Sequence, residues 1–269
     1  MAADIASFVG DIPGHYDRGL GPVIFEGFGE AMARRAATLS PADALELAAG
    51  TGIVSRRLRN HLPAGARLTV TDLNPPMLEV ARAKFAADEA VTFQPADACD
   101  LPFADGAFDL IVCQFGVMFF PDKAKGFAEA FRVLRPGGRY VFSTWDSQRN
   151  NRFGAVAQAV VNAQFPADPP RFYDIPFSYH ALDQARADVE AAGFVDFSVE
   201  VSRIESQVAD LDAFTDGLVF GNPLIGQMRE RGAVDEARLQ ADMSRAVVKA
   251  FGDPARLSLQ ALFFAATRP

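Results

Sequence analysis

Cysteine, histidine and tryptophan are scarce in this chain of 269 residues, at two, three and one. Cys99 and Cys113 show neither metal-ligand spacing nor the pattern of a disulfide framework, so both are expected as small reduced core residues, and no metal site is expected. Basic residues are outnumbered, 26 against 34 acidic, for a net charge of −8 and a pI near 4.9. That balance excludes the broad basic surface that neutralises a nucleic-acid backbone, so no nucleic-acid partner is expected. Long apolar runs are missing too. Residues 110–120 are interrupted by Gln114 and Gly116 and are too short to span a bilayer. The first residues hold Asp4 and no basic leader, so a cytoplasmic protein without a membrane span is expected.

What the chain does hold is a hydrophobic fraction of 49%, enough for a full core, and a succession of apolar runs that end in polar signals. The first is LELAAGTG, residues 45–52, a buried strand that turns at Gly50 and Gly52 into a helix over residues 53–62. Val54, Leu58 and Leu62 recur at four-residue spacing and give that helix a packing face, while its N-terminus favours anionic groups. A second strand, residues 68–70, leads to Asp72, with Asn74 as helix cap and Pro75 in the first turn, where a missing N–H costs nothing. Asp72 follows Gly52 at the interval where a strand-end carboxylate can accept both hydroxyls of a ribose.

With Asp97 as a third signal, these features read as a nucleoside-binding site. The glycine turn and Asp72 alone also fit an NAD site, which makes an NAD-dependent Rossmann oxidoreductase the alternative class. Against it, the third-glycine position is Ser55, and the Asp97 segment has no role in the dinucleotide fingerprint.

No repeat or low-complexity segment interrupts the chain. Residues 28–39 read as a helix ahead of the first strand, which Pro41 introduces, so the N-terminus is expected as a helical flap that can gate a ligand. Further strands are expected over residues 91–93, 109–113 and 140–143. Asp122 caps a helix on which Phe127, Phe131 and Leu134 share a face, with Pro136-Gly137-Gly138 as its stop. Five strands with four connections imply a parallel sheet. Past Trp145 the regular alternation gives way to scattered aromatics and prolines. There a helix is expected over residues 181–192, a long strand over 195–204, helices over Leu211–Phe220 and residues 234–251, and a last strand over 257–267. The roughly fifty residues between the last two strands exceed a hairpin loop and form the expected substrate cover. One domain over 1–269 is expected, with a flap (1–40), a cofactor-binding half (41–145), and cover segments with the final strands (146–269).

Four signals in order, ELAAGTG, VTDLNPPML, ADACDLPFADGAFDLIVC and FRVLRPGGRYVFSTW, resemble a class I S-adenosylmethionine-dependent methyltransferase of the small-molecule type. The resemblance covers residues 44–145 and is similar to the quinone-biosynthesis group. It implies an α/β fold: a Rossmann-like, doubly wound, mostly parallel seven-stranded sheet with the last strand antiparallel, an N-terminal helical flap, and a helical cover inserted between the last two strands. It also implies S-adenosyl-L-methionine as cofactor, S-adenosyl-L-homocysteine as product, and methyl transfer to a small apolar or aromatic metabolite. A non-catalytic cofactor-binding protein is a third class.

By the same resemblance, Gly50, Thr51, Gly52 and the backbone around Ala48 cradle the methionine part of the cofactor, and Glu46 shapes that site. Asp72 takes the ribose diol, with Leu73 and Met77 against the adenine. Asp97 accepts from the exocyclic amine while the Ala98 N–H meets a ring nitrogen, and Gln114 faces the methionine portion. Ala48 stands where the motif often has its first glycine, a minor loss because the two glycines nearest the turn remain. Beyond Trp145 the short terminal pattern of quinone methyltransferases is absent, so acceptor identity is not implied.

Asn74-Pro75-Pro76-Met77 sits at a helix start. Amino-group methyltransferases carry their Asn-Pro-Pro-aromatic element at the end of strand four, where this chain has Cys113-Gln114-Phe115-Gly116. In the flap, His15-Tyr16-Asp17 is a polar cluster: Tyr16 is expected over the sulfonium, and His15 either toward the acceptor's proton or in surface packing. His61 is expected to be structural, and His180 either faces the pocket or packs. Phe165, Phe172, Tyr173, Phe177 and Tyr179 fit a pocket for an apolar or aromatic acceptor, or core packing under a long loop. Lys123, Lys125, Arg132 and Arg135 read as a solvated helix face. Transfer from an activated sulfonium needs orientation and exclusion of water more than a base, so no catalytic residue is assigned.

Overall fold

Strand β1 (Asp43–Glu46) is buried at every position, and β4 (Phe108–Gln114) at all but one. Helices cover both faces of a parallel sheet, so the middle of each strand is apolar, although β1 also buries Asp43 and Glu46 at its ends. The structure, a computed structural model, describes residues 6–232 and 234–269; Asp4 lies outside the described residues. β1 pairs in parallel with β2 (Arg67–Asp72) and with β4, β2 with β3 (Val91–Pro95), and β4 with β5 (Leu134–Trp145). The last strand, β7 (Arg256–Thr267), runs antiparallel between β5 and β6 (Val195–Gln207), giving the order 3-2-1-4-5-7-6. The winding reverses between β1 and β4, which opens a crevice at their carboxyl ends.

Helix α1 (Ile12–His15), a π-helix (Tyr16–Phe25) and α2 (Glu26–Thr38) precede β1; α3 (Ile53–His61), α4 (Pro75–Arg82) and α5 (Lys123–Val133) link the parallel strands. Then come α6 (Arg152–Gln164) and α7 (Leu182–Ala191) before β6, and α8 (Leu211–Phe220), α9 (Leu224–Arg231) and α10 (Glu236–Phe251) before β7. α9 adds a third helix to the two expected in the cover. No helix among the described residues is long and apolar enough to cross a membrane.

Alternation along β5 divides the core between the two faces of the sheet. Tyr140 and Phe142 meet Phe127 of α5 on one face, where Phe142 also stacks on Phe264 at 4.7 Å. Trp145 meets Phe28 of α2 on the other, beside Phe263. Each such fully buried side chain contributes about 1.5–3 kcal/mol relative to exposure.

Three local expectations are corrected. α5 ends at Val133, before Pro136-Gly137-Gly138, which is carried inside β5 where the pairing with β4 shifts register. Asn74 occupies the N-cap position of α4 but its side chain makes no capping bond. Its Nδ2 donates to the Ala6 carbonyl (2.9 Å) and its Oδ1 accepts from Phe8 N (3.1 Å), strapping the N-terminal segment to the end of β2. The basic face of α5 is not simply solvated. Arg132 pairs with Glu129 and Asp105 and donates to the Leu101 and Phe103 carbonyls, while Arg135 pairs with Asp43. Asp122 does cap α5, accepting from Lys125 N at 2.9 Å.

The flap and cover are built as one layer. The π-helix crosses α8 where Gly19 meets Gly217; a Cβ on Gly19 would lie 2.2 Å from the Ala213 carbonyl oxygen. An ion pair between Lys84 and Asp17 fastens the same flap beyond the end of α4.

Asn151, fully buried, joins the start of α6 to β7. Its Nδ2 donates to the carbonyls of Asp146 (3.0 Å) and Gln260 (2.9 Å), and its Oδ1 accepts from Gln260 N (2.9 Å). Asn151→Ala strips these partners from buried backbone groups and is expected to cost roughly 2–4 kcal/mol. Urea unfolding should show the loss as a lowered midpoint at unchanged slope; a midpoint like that of the unaltered chain would contradict it.

Candidate functional site

The turn after β1 keeps sheet pairing while it curls: Leu47 N donates to the Val112 carbonyl (2.8 Å) and Ala49 N to that of Thr71 (2.9 Å). Ala48, Gly50 and Gly52 all take positive φ, at 51°, 59° and 78°. A Cβ at Gly52 would stand 2.7 Å from that of Ala81, so this position admits only glycine. Ala48 is a costlier departure from the glycine pattern than a minor loss, since a left-handed alanine is strained by about 1–2 kcal/mol.

Asp72 closes the turn from the neighbouring strand. Its Oδ2 accepts from Gly50 N (2.8 Å) and its Oδ1 from Asn74 N (2.8 Å). Burial raises its pKa, and these backbone N–H bonds oppose the rise. A cleft of about 1150 Å³ opens above it, lined by Tyr16, Ala48, Gly50, Asp72, Leu73, Met77, Asp97, Ala98 and Gln114. Nine of the twelve expected site residues thus share one space. Asp97 is held there by Cys99 N, which donates to its Oδ1 at 2.8 Å.

Glu46 and Thr51 line a small adjoining cavity, which Tyr16, Ala48 and Gln114 also border. Gly52 lines neither space and serves the turn alone. Glu46 Oε2, Thr51 Oγ1 and Gln114 Oε1 are buried without a hydrogen-bond partner among the described residues. Gln114 Oε1 only accepts, and Glu46 Oε2 does so once its carboxyl is ionised, so the cavity suits a group rich in donors, such as an ammonium. Burial pushes the Glu46 carboxyl up to about 8, and the nearby Asp72 charge adds to the rise.

On the other side of Tyr16 lies an aromatic chamber, whose walls include Phe25, Phe115, Trp145, Phe153, Tyr173 and Phe177. Phe8, Tyr16, Phe115 and Phe119 line both chamber and cleft. Phe115 takes a left-handed φ of 54° and stacks face to face on Trp145, at 4.1 Å and 4°. Among the described residues that line the chamber there is no carboxylate, amine, guanidinium or imidazole. Burial and the charges of Asp72 and Asp17 push the Tyr16 hydroxyl far up, so it stays protonated.

Other expected residues fall outside. His15 packs its ring against Phe220 at 5.5 Å, His61 pairs with Glu30 at 3.0 Å, and His180 Nδ1 meets the Phe177 carbonyl at 2.7 Å; none of the three lines these spaces. Phe172, Tyr173 and Phe177 line the chamber, whereas Phe165 and Tyr179 do not. Sequence reasoning missed Phe8, Phe25, Phe115, Phe119, Trp145, Phe153 and Asn222. The signal that pointed toward this chamber was the concentration of aromatics past Trp145, of which Phe172, Tyr173 and Phe177 line it.

Residues 45–142 match the family described as a methyltransferase domain. The chain is 37% identical over 131 residues to the demethylmenaquinone methyltransferase of Deinococcus radiodurans, covering 48% of this chain and 54% of that one. It is 34% identical over 180 residues to that of Mycolicibacterium vanbaalenii, covering 63% and 75%. The chain spans about half the length of several curated relatives that it matches. Among solved structures it is similar to Haemonchus contortus phosphoethanolamine N-methyltransferase 2 in complex with S-adenosyl-L-methionine. There the TM-score is 0.61 at 19% identity, over 98% of this chain and 58% of that one; at such identity the likeness concerns the fold.

Glu46 carries a pH signature. The folded chain keeps its carboxyl protonated up to about 8, whereas the unfolded chain releases that proton near 4.5. Its contribution to stability is therefore complete below 4.5 and is lost as pH rises through 8. Urea unfolding of the unliganded protein across this range should show stability falling with pH, and Glu46→Gln should flatten the fall. An equal fall in the variant would mean that the proton resides elsewhere.

Proposed function

Because the chain belongs to the class I S-adenosylmethionine-dependent methyltransferases, we propose that it transfers a methyl group from S-adenosyl-L-methionine to a small, neutral aromatic acceptor of quinone type. The observation that carries this reading is the junction at Tyr16. A polar cleft with strand-end carboxylates and orphaned acceptors meets a chamber free of charged side chains, across four shared wall residues.

The residues present fit the cofactor. Asp72 would accept the ribose hydroxyls, Asp97 the exocyclic amine of the base, and the Ala98 N–H would meet a ring nitrogen. Leu73 and Met77 supply the apolar wall. Glu46, Thr51 and Gln114 would surround the methionine ammonium, satisfying the atoms left orphaned in the small cavity. The Gly50 to Gly52 turn at the start of α3 suits the carboxylate. When bound, the cofactor supplies a methyl group already activated on a sulfonium.

What remains for the chain is to orient the acceptor and exclude water. Phe115, Trp145 and Phe153 would fix the plane of an aromatic ring. Phe8, Tyr16 and Phe119 close the junction against solvent. Among the described residues that line the chamber none is a base, which suits an acceptor that brings its own nucleophilicity, as a reduced, electron-rich ring does. The protonated Tyr16 hydroxyl can donate a hydrogen bond but cannot take a proton. The relatives' name, demethylmenaquinone methyltransferase, supports a quinone-type acceptor, and the chamber's lack of charge agrees with it. The buried Ser55, standing where a dinucleotide site has its third glycine, disfavours the nicotinamide reading.

Calorimetry with S-adenosyl-L-homocysteine tests the cofactor assignment. Asp72→Ala should weaken binding by roughly tenfold to a hundredfold, as expected for losing hydrogen bonds to a charged group. At pH 7, pairing Glu46 with an ammonium should release up to about one proton, readable from buffers of different ionisation heat and absent in Glu46→Gln. Binding of NADH in place of the homocysteine compound would sink the reading. Turnover is tested separately: methyl-labelled cofactor offered with a reduced naphthoquinone, and with a metabolite extract, should label a small molecule. Cofactor binding with no label in either would identify a binding module instead.

A further inference from the structure

Outside the cleft, four exposed arginines border one groove. Arg149, Arg152, Arg203 and Arg256 line an open groove of about 1080 Å³, together with Glu205 and the ring of Phe251. Its floor is the part of β6 and β7 that extends past the last β5 pairing, Trp145 with Ala261. There Arg203 stands opposite Gln260 and Glu205 opposite Ser258, which brings alternate side chains of both strands to one face. Its wall is the start of α6, where Arg152 lines the groove and the next residue, Phe153, lines the aromatic chamber.

None of these four guanidiniums forms an ion pair among the described residues, whereas thirteen other arginines do. Arg203 Nε donates to Gln260 Oε1 at 2.6 Å and Arg152 lies 5.7 Å from the Phe251 ring centroid. Arg149 and Arg256 make no side-chain hydrogen bond among the described residues. In a chain of net charge −8, carboxylates abound to neutralise basic groups, yet among the described residues that line the groove Glu205 is the one carboxylate beside four arginines, and the neighbouring Asp146 carboxylate is engaged by Asn150 and Gln260. A single carboxylate ligand would leave most of that charge unbalanced. Clustered phosphate oxygens, which carry several charges and accept paired guanidinium N–H bonds, match it better.

We propose that this groove binds a diphosphate-type group, with Arg149, Arg152, Arg203 and Arg256 as its ligands, at a site separate from the methyl-transfer cleft. The same clustered phosphate chemistry is offered by a soluble diphosphate ester and by the headgroups of an acidic lipid surface. Titration of the full chain with inorganic pyrophosphate should give saturable binding. R149E/R256E, which reverses charge at two side chains without hydrogen-bond partners, should weaken it by at least roughly tenfold. R149Q/R256Q should fall between, and both variants should keep the unfolding midpoint. Displacement of pyrophosphate by vesicles containing phosphatidylglycerol, but not by phosphatidylcholine alone, assigns the group to a lipid surface; retention against both assigns it to a soluble ester. Binding that does not saturate, or that survives R149E/R256E unchanged, overturns the site. Because no arm uses the methyl donor, these outcomes are independent of the cofactor reading.

Discussion

The carboxylate of Asp72 holds three otherwise separate pieces of the chain in one geometry. Through Gly50 N it fixes the curl that follows β1, and through Asn74 N the start of α4. Asn74 in turn grips Ala6 and Phe8 of the N-terminal segment. One buried anion thus registers the glycine turn, the second strand and the segment that places Phe8 between cleft and chamber. The helices, sheet and flap could each form without it, but their polar ends would not meet.

Charge is segregated around that anchor. Carboxylates and orphaned acceptors lie on the side of Tyr16 that faces the parallel strands' ends, and among the described residues the aromatic side has no charged lining. Burial keeps both Tyr16 and the unliganded Glu46 neutral, which leaves Asp72 and Asp97 as the carboxylates that the described residues present to the cleft. A cationic donor and a neutral acceptor are the pair that such a division sorts.

The sheet, its winding and the polar half of the site were legible because they follow from local rules: apolar runs, glycine turns, and carboxylates at strand ends. The aromatic chamber was legible only in part, through Phe172, Tyr173 and Phe177, which were expected either in such a pocket or as core packing. Phe8, Phe25, Phe115, Trp145 and Phe153 come from separate segments, and each alone looks like a core residue; only tertiary convergence makes a cavity of them. Left-handed Phe115 and Ala48 break propensity rules, so a propensity argument could not anticipate them. For Asn74 and Arg132, local reading supplied a cap and a solvated face, but partners distant in sequence, Ala6 and Asp105, compete for the same atoms.

The π-helix makes the length of residues 16–25, and not only their composition, part of the site. Each wide turn accommodates one residue more than an α-helix would. Changing the number of residues there would turn the N-terminal side about the axis, by about 100° for each residue, and so shift Tyr16 relative to the three spaces that it borders. The facing wall is pinned by strands in register, where a one-residue change would turn side chains inside out. Insertions and deletions can therefore retune the flap side of this site, while the sheet side can evolve only by substitution.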